Sequence, residues 1–330
     1  MSSATSAIGG FRSRLTREAI GRLVVRNAMV IVLLLVIAYF SYRSARFATP
    51  DNVVTILVAA APFALVALGQ TLVILTGGID LSVGSVIAVS AMSGAWVAVN
   101  NPDSLWLAPA IAAGVGLFFG LVNGLIVSLL SVPPFVATLG TMTAASGFAY
   151  VIGKGAPING LPGGYGAFAN TTIFGLTIPV ILMILGFLLI WFLLTRTTFG
   201  LRVYAVGGNA TAASLAGVRT KRTLIWVYVA SGLLAGVSGL MISSRVISGA
   251  PTLGAGYELD AIAAVVIGGA SLFGGRGTVW GTLLGLLLIQ TLNNGLDILV
   301  VPAYWQSVIK GTLIVAAVAI DVWATRRARR

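Results

Sequence analysis

The sequence is poor in the side chains that most often carry chemistry. It has no cysteine and no histidine, and only 8% of its 330 residues are charged, against 58% that are hydrophobic. These absences exclude disulfides, thiol nucleophiles, imidazole proton relays and Cys/His metal sites. Because soluble domains carry roughly 25% charged residues, the composition predicts an integral membrane protein with no catalytic centre and no metal site.

The net charge of +12 points to a membrane protein rather than to a nucleic-acid-binding one. In a soluble protein such an excess would suggest nucleic acid. In a membrane protein, Lys and Arg collect in the loops that stay in the cytoplasm. We therefore expect no nucleic-acid partner, and we expect membrane lipid to lie against the basic segments.

No phosphate-binding loop is recognisable. The nearest stretch, Gly147 to Lys154, has one residue too many between its glycines, and Gly155 stands where Ser or Thr is required. The chain itself is therefore not expected to hydrolyse ATP.

Long apolar runs predict the fold class. A helix needs about 20 apolar residues to cross the hydrocarbon core of a bilayer. Runs of this kind predict an all-α polytopic membrane protein of about ten transmembrane helices. They lie at 27–44, 53–75, 83–99, 105–130, 135–152, 173–194, 224–247, 259–273, 279–297 and 304–323. The eighth run is short, which predicts a half-helix or a helix with little tilt.

The basic residues set the orientation. With the N-terminus inside, ten spans return the C-terminus to the inside, and most Lys and Arg then lie there. The exceptions, near the outside or within a span, are Arg43, Arg46, Lys154, Arg245 and Lys310. Positive residues favour the cytoplasmic side, so this bias predicts an N-in, C-in protein. Residues 1–26 and 324–330 are then basic cytoplasmic tails, and 27–323 form a single transmembrane domain.

Two connections are long. Residues 153–172 fall outside, where Gly and Pro predict a shaped surface loop. Residues 195–223 fall inside, are basic at both ends and contain a predicted small-residue helix at 211–216. This helix is expected either to dock a cytoplasmic partner or to lie on anionic lipid.

The stretch from Gly69 to Ser90 contains a predicted break between two helices. Two apolar runs meet at Gly77 and Gly78, and Asp80 follows. Glycine breaks a helix cheaply, and Asp80 or Ser82 can cap the next one. In lipid, such a break needs protein or water over the freed backbone. It is expected to face a cavity or a partner, unless it is an ordinary tight turn.

Small residues recur at helical spacing. Glycines stand four apart in three places: 116, 120 and 124; 232 and 236; and 277, 281 and 285. Such spacing lets helix backbones approach closely. It predicts close packing within the subunit, with a pore wall or a subunit interface as the alternative. Residues 71–89 also echo 263–281, which favours either a parallel duplication or a chance match of glycine-rich turns.

Few acids lie near the apolar runs. These are Asp80, Glu258, Asp260 and Asp297. Intramembrane charges usually face a cavity or a partner. We predict an ion pair between Asp297 and Lys310, with separate snorkelling of the two side chains as the alternative. No acid stands clearly midway along a run, which argues against coupling to an ion gradient.

Four stretches together resemble the ribose/xylose/galactose-type permeases of ABC sugar importers, over roughly residues 50–320. They are LGQTLVILTGGIDLSVGSVIAVSA (68–91), VPPFVATLGTMTAASGFAYVIGKGAPI (132–158), FGLRVYAVGGNATAASLAGVRTKR (199–222) and AVVIGGASLFGGRGTVWGTLLG (264–285). The resemblance implies the ABC importer permease fold in a bacterial cell (inner) membrane. It also implies a second permease subunit, with a homodimer expected, and a cytoplasmic ABC ATPase that holds ATP and Mg. A periplasmic or lipid-anchored sugar-binding protein is a further implied partner, and this chain is expected to bind no cofactor.

The resemblance also implies an ATPase-coupling segment. Importer permeases carry an EAA-x3-G motif in an inner loop, matched here by 211–217. This sequence departs from it at Thr211, where the family usually has Glu, and at Ser214, where Arg is common. Arg219 and Arg222 are possible substitutes for the lost charge. The implied coupling residues are Gly207, Gly208, Asn209, Thr211, Ala212, Ala213, Leu215, Gly217 and Arg219.

The function implied is monosaccharide import by alternating access. A neutral sugar suits a path lined by amides, hydroxyls and few charges. The candidates are Gln70, Thr71, Asp80, Asn123, Thr138, Thr141, Gln290, Asn293 and Asn294, each of which can instead be satisfied by an interhelical hydrogen bond. The alternatives are a nucleoside, a furanone signal or a branched-chain amino acid as cargo, or an ion-coupled secondary carrier.

Overall fold

The computed structural model describes residues 28–328, so the predicted tail 1–26 lies outside the described residues. Thirteen α-helices account for most of this part of the chain. They are α1 (Ala28–Arg43), α2 (Pro50–Leu75), α3 (Val83–Asn100), α4 (Leu107–Leu129), α5 (Pro134–Ile152), α6 (Ala167–Asn170), α7 (Ile178–Arg196), α8 (Thr198–Gly208), α9 (Ala210–Leu215), α10 (Thr220–Val246), α11 (Tyr257–Ile267), α12 (Val279–Ile298) and α13 (Ala303–Ala328).

Six of these helices are long and apolar enough to cross a membrane: α2, α3, α4, α5, α7 and α10. The polytopic helical fold class is therefore confirmed. Each of the ten predicted runs overlaps one helix, although α13 continues through Ala328, past the predicted end at 323. The number of helices that cross the membrane and their direction stay predictions.

The sixth run begins later than predicted because its first residues form a small hairpin. Strand β1 (Thr172–Ile173) pairs antiparallel with β2 (Leu176–Thr177). The two turn residues, Phe174 and Gly175, have φ of +53° and +79°. Positive φ at both turn positions is what a two-residue hairpin with a type I′ turn requires. Helix α7 therefore starts only at Ile178.

Helix α10 is the centre of the bundle and packs against α2, α3 and α4. The predicted close packing of glycines is confirmed here. A Cβ on Gly116 or Gly120 would overlap backbone atoms of α10, while a Cβ on Gly232 or Gly236 would overlap backbone atoms of α4. With hydrogen atoms in place of side chains, the two backbones touch, and dispersion contacts replace those with lipid.

Helix α11 is the half-helix that the short eighth run predicts. Its 11 residues rise about 16 Å, which is about half of the hydrocarbon thickness. Residues 268–278 then form an irregular segment before α12 begins, where the Thr278 side chain accepts a hydrogen bond from the Gly281 amide at 3.0 Å. The same order of helix, break and helix occurs at 71–89, while the duplication itself stays a hypothesis.

The loop 153–172 is held to α10 by buried hydrogen bonds. Ile158 pairs with Gly249 in an antiparallel bridge. The Tyr165 hydroxyl, fully buried, lies 2.6 Å from Ser243 Oγ, and Ser244 Oγ donates to the Tyr165 carbonyl at 2.7 Å. Burial raises the pKa of Tyr165. This end of the bundle is called the 153–172 end, and the opposite one the 195–223 end.

Candidate functional site

The connection 195–223 folds into two consecutive helices, α8 and α9. Asn209 separates them and caps α9, because its Oδ1 accepts a hydrogen bond from the Ala212 amide at 2.9 Å. Gly217, with φ of +85°, follows the end of α9 in the left-handed conformation that favours glycine. The predicted helix at 211–216 is confirmed, with bounds one residue earlier.

Helix α8 was missed by the sequence analysis. Its three glycines lower its helix propensity, which hides it from a reading based on composition. A signal was nevertheless present, because Val203 and Val206 are one helical turn apart and both are buried.

Most of the implied coupling residues lie on the surface. Ala213 is buried and Gly207 half-buried, whereas Leu215 is 86% exposed. The remaining ones, all exposed, are Gly208, Asn209, Thr211, Ala212, Gly217 and Arg219. The same connection carries five exposed cations, namely Arg196, Arg202, Arg219, Lys221 and Arg222. The surface thus combines an unusually exposed leucine with small residues and positive charge.

Beneath this surface, three backbone segments meet through glycines. The Gly275 amide donates to the Leu75 carbonyl at 3.0 Å, joining the segment 268–278 to the end of α2. A Cβ on Gly207 of α8 would overlap the same Leu75 oxygen and would lie 2.6 Å from the Gly275 nitrogen. A Cβ on Gly274 would lie 2.8 Å from both the Gly77 nitrogen and the Gly207 oxygen. We call Leu75, Gly77, Gly207, Gly274 and Gly275 the glycine junction.

The glycine junction connects the surface of α8 and α9 to both helix breaks. Tyr204 of α8 adds a hydrogen bond from its hydroxyl to the Gly277 carbonyl at 2.9 Å. Close-packed groups transmit displacement, because little free volume exists to absorb it. Little space therefore separates α8 from the residues around Gly77 and from the segment 268–278.

The break after α2 is filled by a buried polar cluster around Asp80, which is 1% exposed. Asp80 Oδ1 accepts from Ser82 Oγ at 2.6 Å and from the Ser82 amide at 3.0 Å. Its Oδ2 accepts from Ser231 Oγ of α10 at 3.0 Å. Asn123 Nδ2 of α4 donates to Ser82 Oγ at 2.8 Å, and the Gln70 amide bridges the backbone of Asp80 when its oxygen and nitrogen are oriented so that both bond. We call these five residues the Asp80 cluster.

The Asp80 cluster holds the start of α3 without a side-chain cap from Ser82. Asp80 accepts only the amide of Ser82, the residue before α3, so neither of the two predicted residues caps the first turn of α3 with its side chain. Other parts of the protein cover the break, since Gly77 lies against the Phe273 backbone and Gly78 lies against the Tyr228 hydroxyl. The amides of Gly77 and Gly78 also donate to the carbonyls of Ile74 and Val73, which satisfies them as a lipid environment requires.

The predicted path residues fall into two groups. Gln70, Thr71, Asp80, Asn123, Thr138, Thr141 and Asn294 all make hydrogen bonds inside the subunit. Gln290 and Asn293, by contrast, line a cavity. Both groups are represented side by side on α12. Asn293 lines the cavity, whereas Asn294 forms two amide–amide hydrogen bonds with Asn52, each 2.9 Å long. The role of all nine in a transport path stays a prediction.

This cavity has a volume of about 530 Å³ and lies between α2, α11, α12 and α13. Lys310 Nζ of α13 lies 3.1 Å from Asp260 Oδ2 of α11, and their side chains are 27% and 19% exposed. The predicted pair between Asp297 and Lys310 is therefore wrong. Lys310 stands seven residues after Ala303, about 10 Å into α13, whereas Asp297 accepts from Gln306 Nε2 in the first turn at 2.8 Å.

Sequence comparison identifies the family of this chain. The family described as "Branched-chain amino acid transport system / permease component" matches residues 52–318. The chain belongs to this permease family. The permease is a membrane transport subunit of an ABC importer and not an enzyme, and the resemblance to ribose-type permeases is confirmed.

Several curated relatives match most of the permease. The ribose import permease protein RbsC of Bacillus subtilis (strain 168) is 43% identical over 88% of this chain and 90% of its own length. That of Escherichia coli (strain K12) is 42% identical over 88% and 92%. The D-allose transport system permease protein AlsC of Escherichia coli (strain K12) is 36% identical over 88% and 89%. No solved structure matches the chain.

Proposed function

We propose that this permease carries a monosaccharide, a pentose, a hexose or a similar polyol, across the bacterial cell (inner) membrane. Its relatives named for ribose and D-allose support a sugar as cargo. We further propose ten membrane-crossing helices with both termini in the cytoplasm. The basic connection 195–223 supports that direction, because Lys and Arg favour the cytoplasmic side.

The glycine junction is the observation that carries the mechanism. Gly207 belongs to α8, the helix directly before α9, and it contacts the backbone at both helix breaks. A cytoplasmic ATPase binds Leu215 and the residues around it, and its movement displaces α8. Helix α8 in turn displaces the ends of α2 and α11. The two breaks then act as hinges, so that the cavity opens alternately to either side.

The partners follow from this mechanism. ATP and Mg are bound by the ATPase, and this chain binds no cofactor. A periplasmic or lipid-anchored binding protein delivers the sugar at the 153–172 end. A second permease, a copy of this chain, completes the membrane pathway. Thr211 in place of Glu leaves the α9 surface without an acid, so docking rests on packing around Leu215 and on the cations nearby.

Reconstitution tests the proposal directly. The purified permease, its ATPase and its binding protein are placed in vesicles with all ion gradients collapsed. ATP on the ATPase side is expected to drive uptake of radiolabelled D-ribose, D-allose or D-galactose. Vesicles given an ion gradient but no ATP are the control. Uptake in the control alone would identify an ion-coupled carrier, and ATP-driven uptake of a nucleoside or an amino acid but of no sugar would identify a different cargo.

A further inference from the structure

The cavity between α2, α11, α12 and α13 has the size and lining of a small-molecule site. Its volume of about 530 Å³ falls in the range of roughly 300–1,000 Å³ that is common for such sites. Two acids and two bases contribute to its wall: Asp260, Asp297, Arg245 and Lys310. Their formal charges cancel, and Asp260 is already paired with Lys310. This balance favours a neutral ligand over an ion.

Amide groups supply the remaining polar surface. Gln290, Asn293 and Gln306 line the cavity, and amides both donate and accept hydrogen bonds. Asn293 Oδ1 itself is closed off from the cavity by neighbouring atoms, so Gln290 and the rest of the Asn293 side chain form the amide surface on α12. A sugar hydroxyl, which donates and accepts at once, matches this lining.

One partly exposed aromatic side chain contributes to the cavity wall. Tyr257 packs edge to face on the buried ring of Phe63, with centroids 5.7 Å apart. The accessible part of Tyr257 offers apolar surface to the C–H groups of a sugar ring.

We infer that this cavity is a binding site for a neutral polyol, which the sugar occupies within a single permease subunit. The inference rests on the proposed sugar cargo. The Asp260–Lys310 ion pair then ties the half-helix α11 to α13 at the edge of the site. Movement of α11, which begins at Tyr257 in the cavity wall and ends beside the glycine junction, opens or closes the wall around the ligand.

Protection from labelling tests occupancy. The chain has no cysteine, so Ser307→Cys places one thiol in the cavity wall, and Thr312→Cys places one on α13 outside it. Both positions are exposed, which makes them a matched pair. The complex is labelled with N-ethylmaleimide at increasing D-ribose. Labelling of S307C is expected to slow about tenfold when ribose reaches about ten times its dissociation constant, and labelling of T312C to stay constant.

Filling the cavity tests its role in transport. No atom lies within 4 Å of a Cβ placed on Gly311, which lines the cavity, or on Gly114, which lines a separate apolar groove on α4. Gly311→Phe is expected to reduce ATP-driven ribose uptake about tenfold, the equivalent of one lost hydrogen bond to a ligand, and to cut the protection of S307C at the same ribose concentration to about twofold. Gly114→Phe is expected to leave both unchanged.

The outcomes separate the cavity from the cargo. If wild-type complexes import ribose but S307C labels equally fast with and without it, the cavity inference is wrong and the proposed function stands. The same holds if G311F imports as well as wild type, or if sodium phosphate protects S307C as ribose does. If ribose protects S307C but no sugar is imported, the cavity stands and the proposed function fails.

Discussion

The backbone of Gly207 lies against the carbonyl oxygen of Leu75 so closely that a methyl group at position 207 would overlap that oxygen. The next residue, Gly208, has no atom within 4 Å of the place where its Cβ would lie. Of these two adjacent glycines in α8, Gly208 therefore has room for a methyl group and Gly207 does not. The first is needed for the contact between α8 and the end of α2, and the second is not.

Gly207→Ala is expected to uncouple the ATPase from transport. The added methyl group forces α8 away from Leu75 and Gly275, at a cost of about 1–3 kcal/mol typical of overpacking. ATP-driven uptake in vesicles should fall about tenfold or more. Gly208→Ala is the control and should import as wild type does. Equal uptake by the two variants would show that the junction does not carry the movement.

Ser231→Ala is expected to destabilise the permease. It removes the hydroxyl that donates to Asp80 Oδ2 and leaves a buried carboxylate oxygen without that donor, at a cost of about 1–3 kcal/mol. The measurement is the midpoint of thermal unfolding in detergent. Ser238→Ala, two turns further along α10, is the control, because Ser238 Oγ is buried and has no hydrogen-bond partner within the described part of the chain. The idea fails if S238A lowers the midpoint as much as S231A does.

The Asp260–Lys310 ion pair predicts a coupling between two substitutions. Lys310→Met leaves Asp260 partly buried without its counter-charge, and Asp260→Asn does the reverse. Each is expected to cost about 1 kcal/mol of stability, and the double variant less than the sum, by about 0.5 kcal/mol or more. Asp297→Asn with Lys310→Met is the control cycle and should be additive. Coupling in the control cycle and none in the first would place the pair where the sequence had predicted it.

Most of the long helices were predictable from the sequence because apolar runs mark them, whereas the shorter helices α6 and α8 lie outside those runs. The half-length of α11 was also predictable, since only a short apolar run lies between Glu258 and the glycines that follow. Close packing at Gly116 and Gly120 was predictable from their spacing, although their partner helix, α10, was not.

The ion pair and the glycine junction could not be predicted in the same way. Asp321 and Asp297 both lie closer to Lys310 in sequence than Asp260 does, but Asp260 pairs with Lys310 because α11 packs against α13. The contact of Gly207 with Leu75 likewise joins residues that are far apart in the chain. A sequence states which positions tolerate close approach, while the partner is decided by tertiary packing.

The proposed orientation predicts which residues are reachable from outside the cell. Phe174 lies at the tip of the hairpin and is fully exposed, so Phe174→Cys should react with a membrane-impermeant maleimide in intact cells. Thr211→Cys on α9 should react only after the cells are opened. Because the chain has no native cysteine, each signal comes from one position. The reverse pattern would invert the permease in the membrane.

The central claim is that ATP hydrolysis acts on this permease through the surface of α9. A photo-crosslinker at Leu215, which is 86% exposed, tests it most directly, with the same probe at Phe174 as the control. In complexes assembled in the membrane, the probe at 215 is expected to capture the ATPase and the probe at 174 is not. Capture of the ATPase from 174, with none from 215, would contradict the claim.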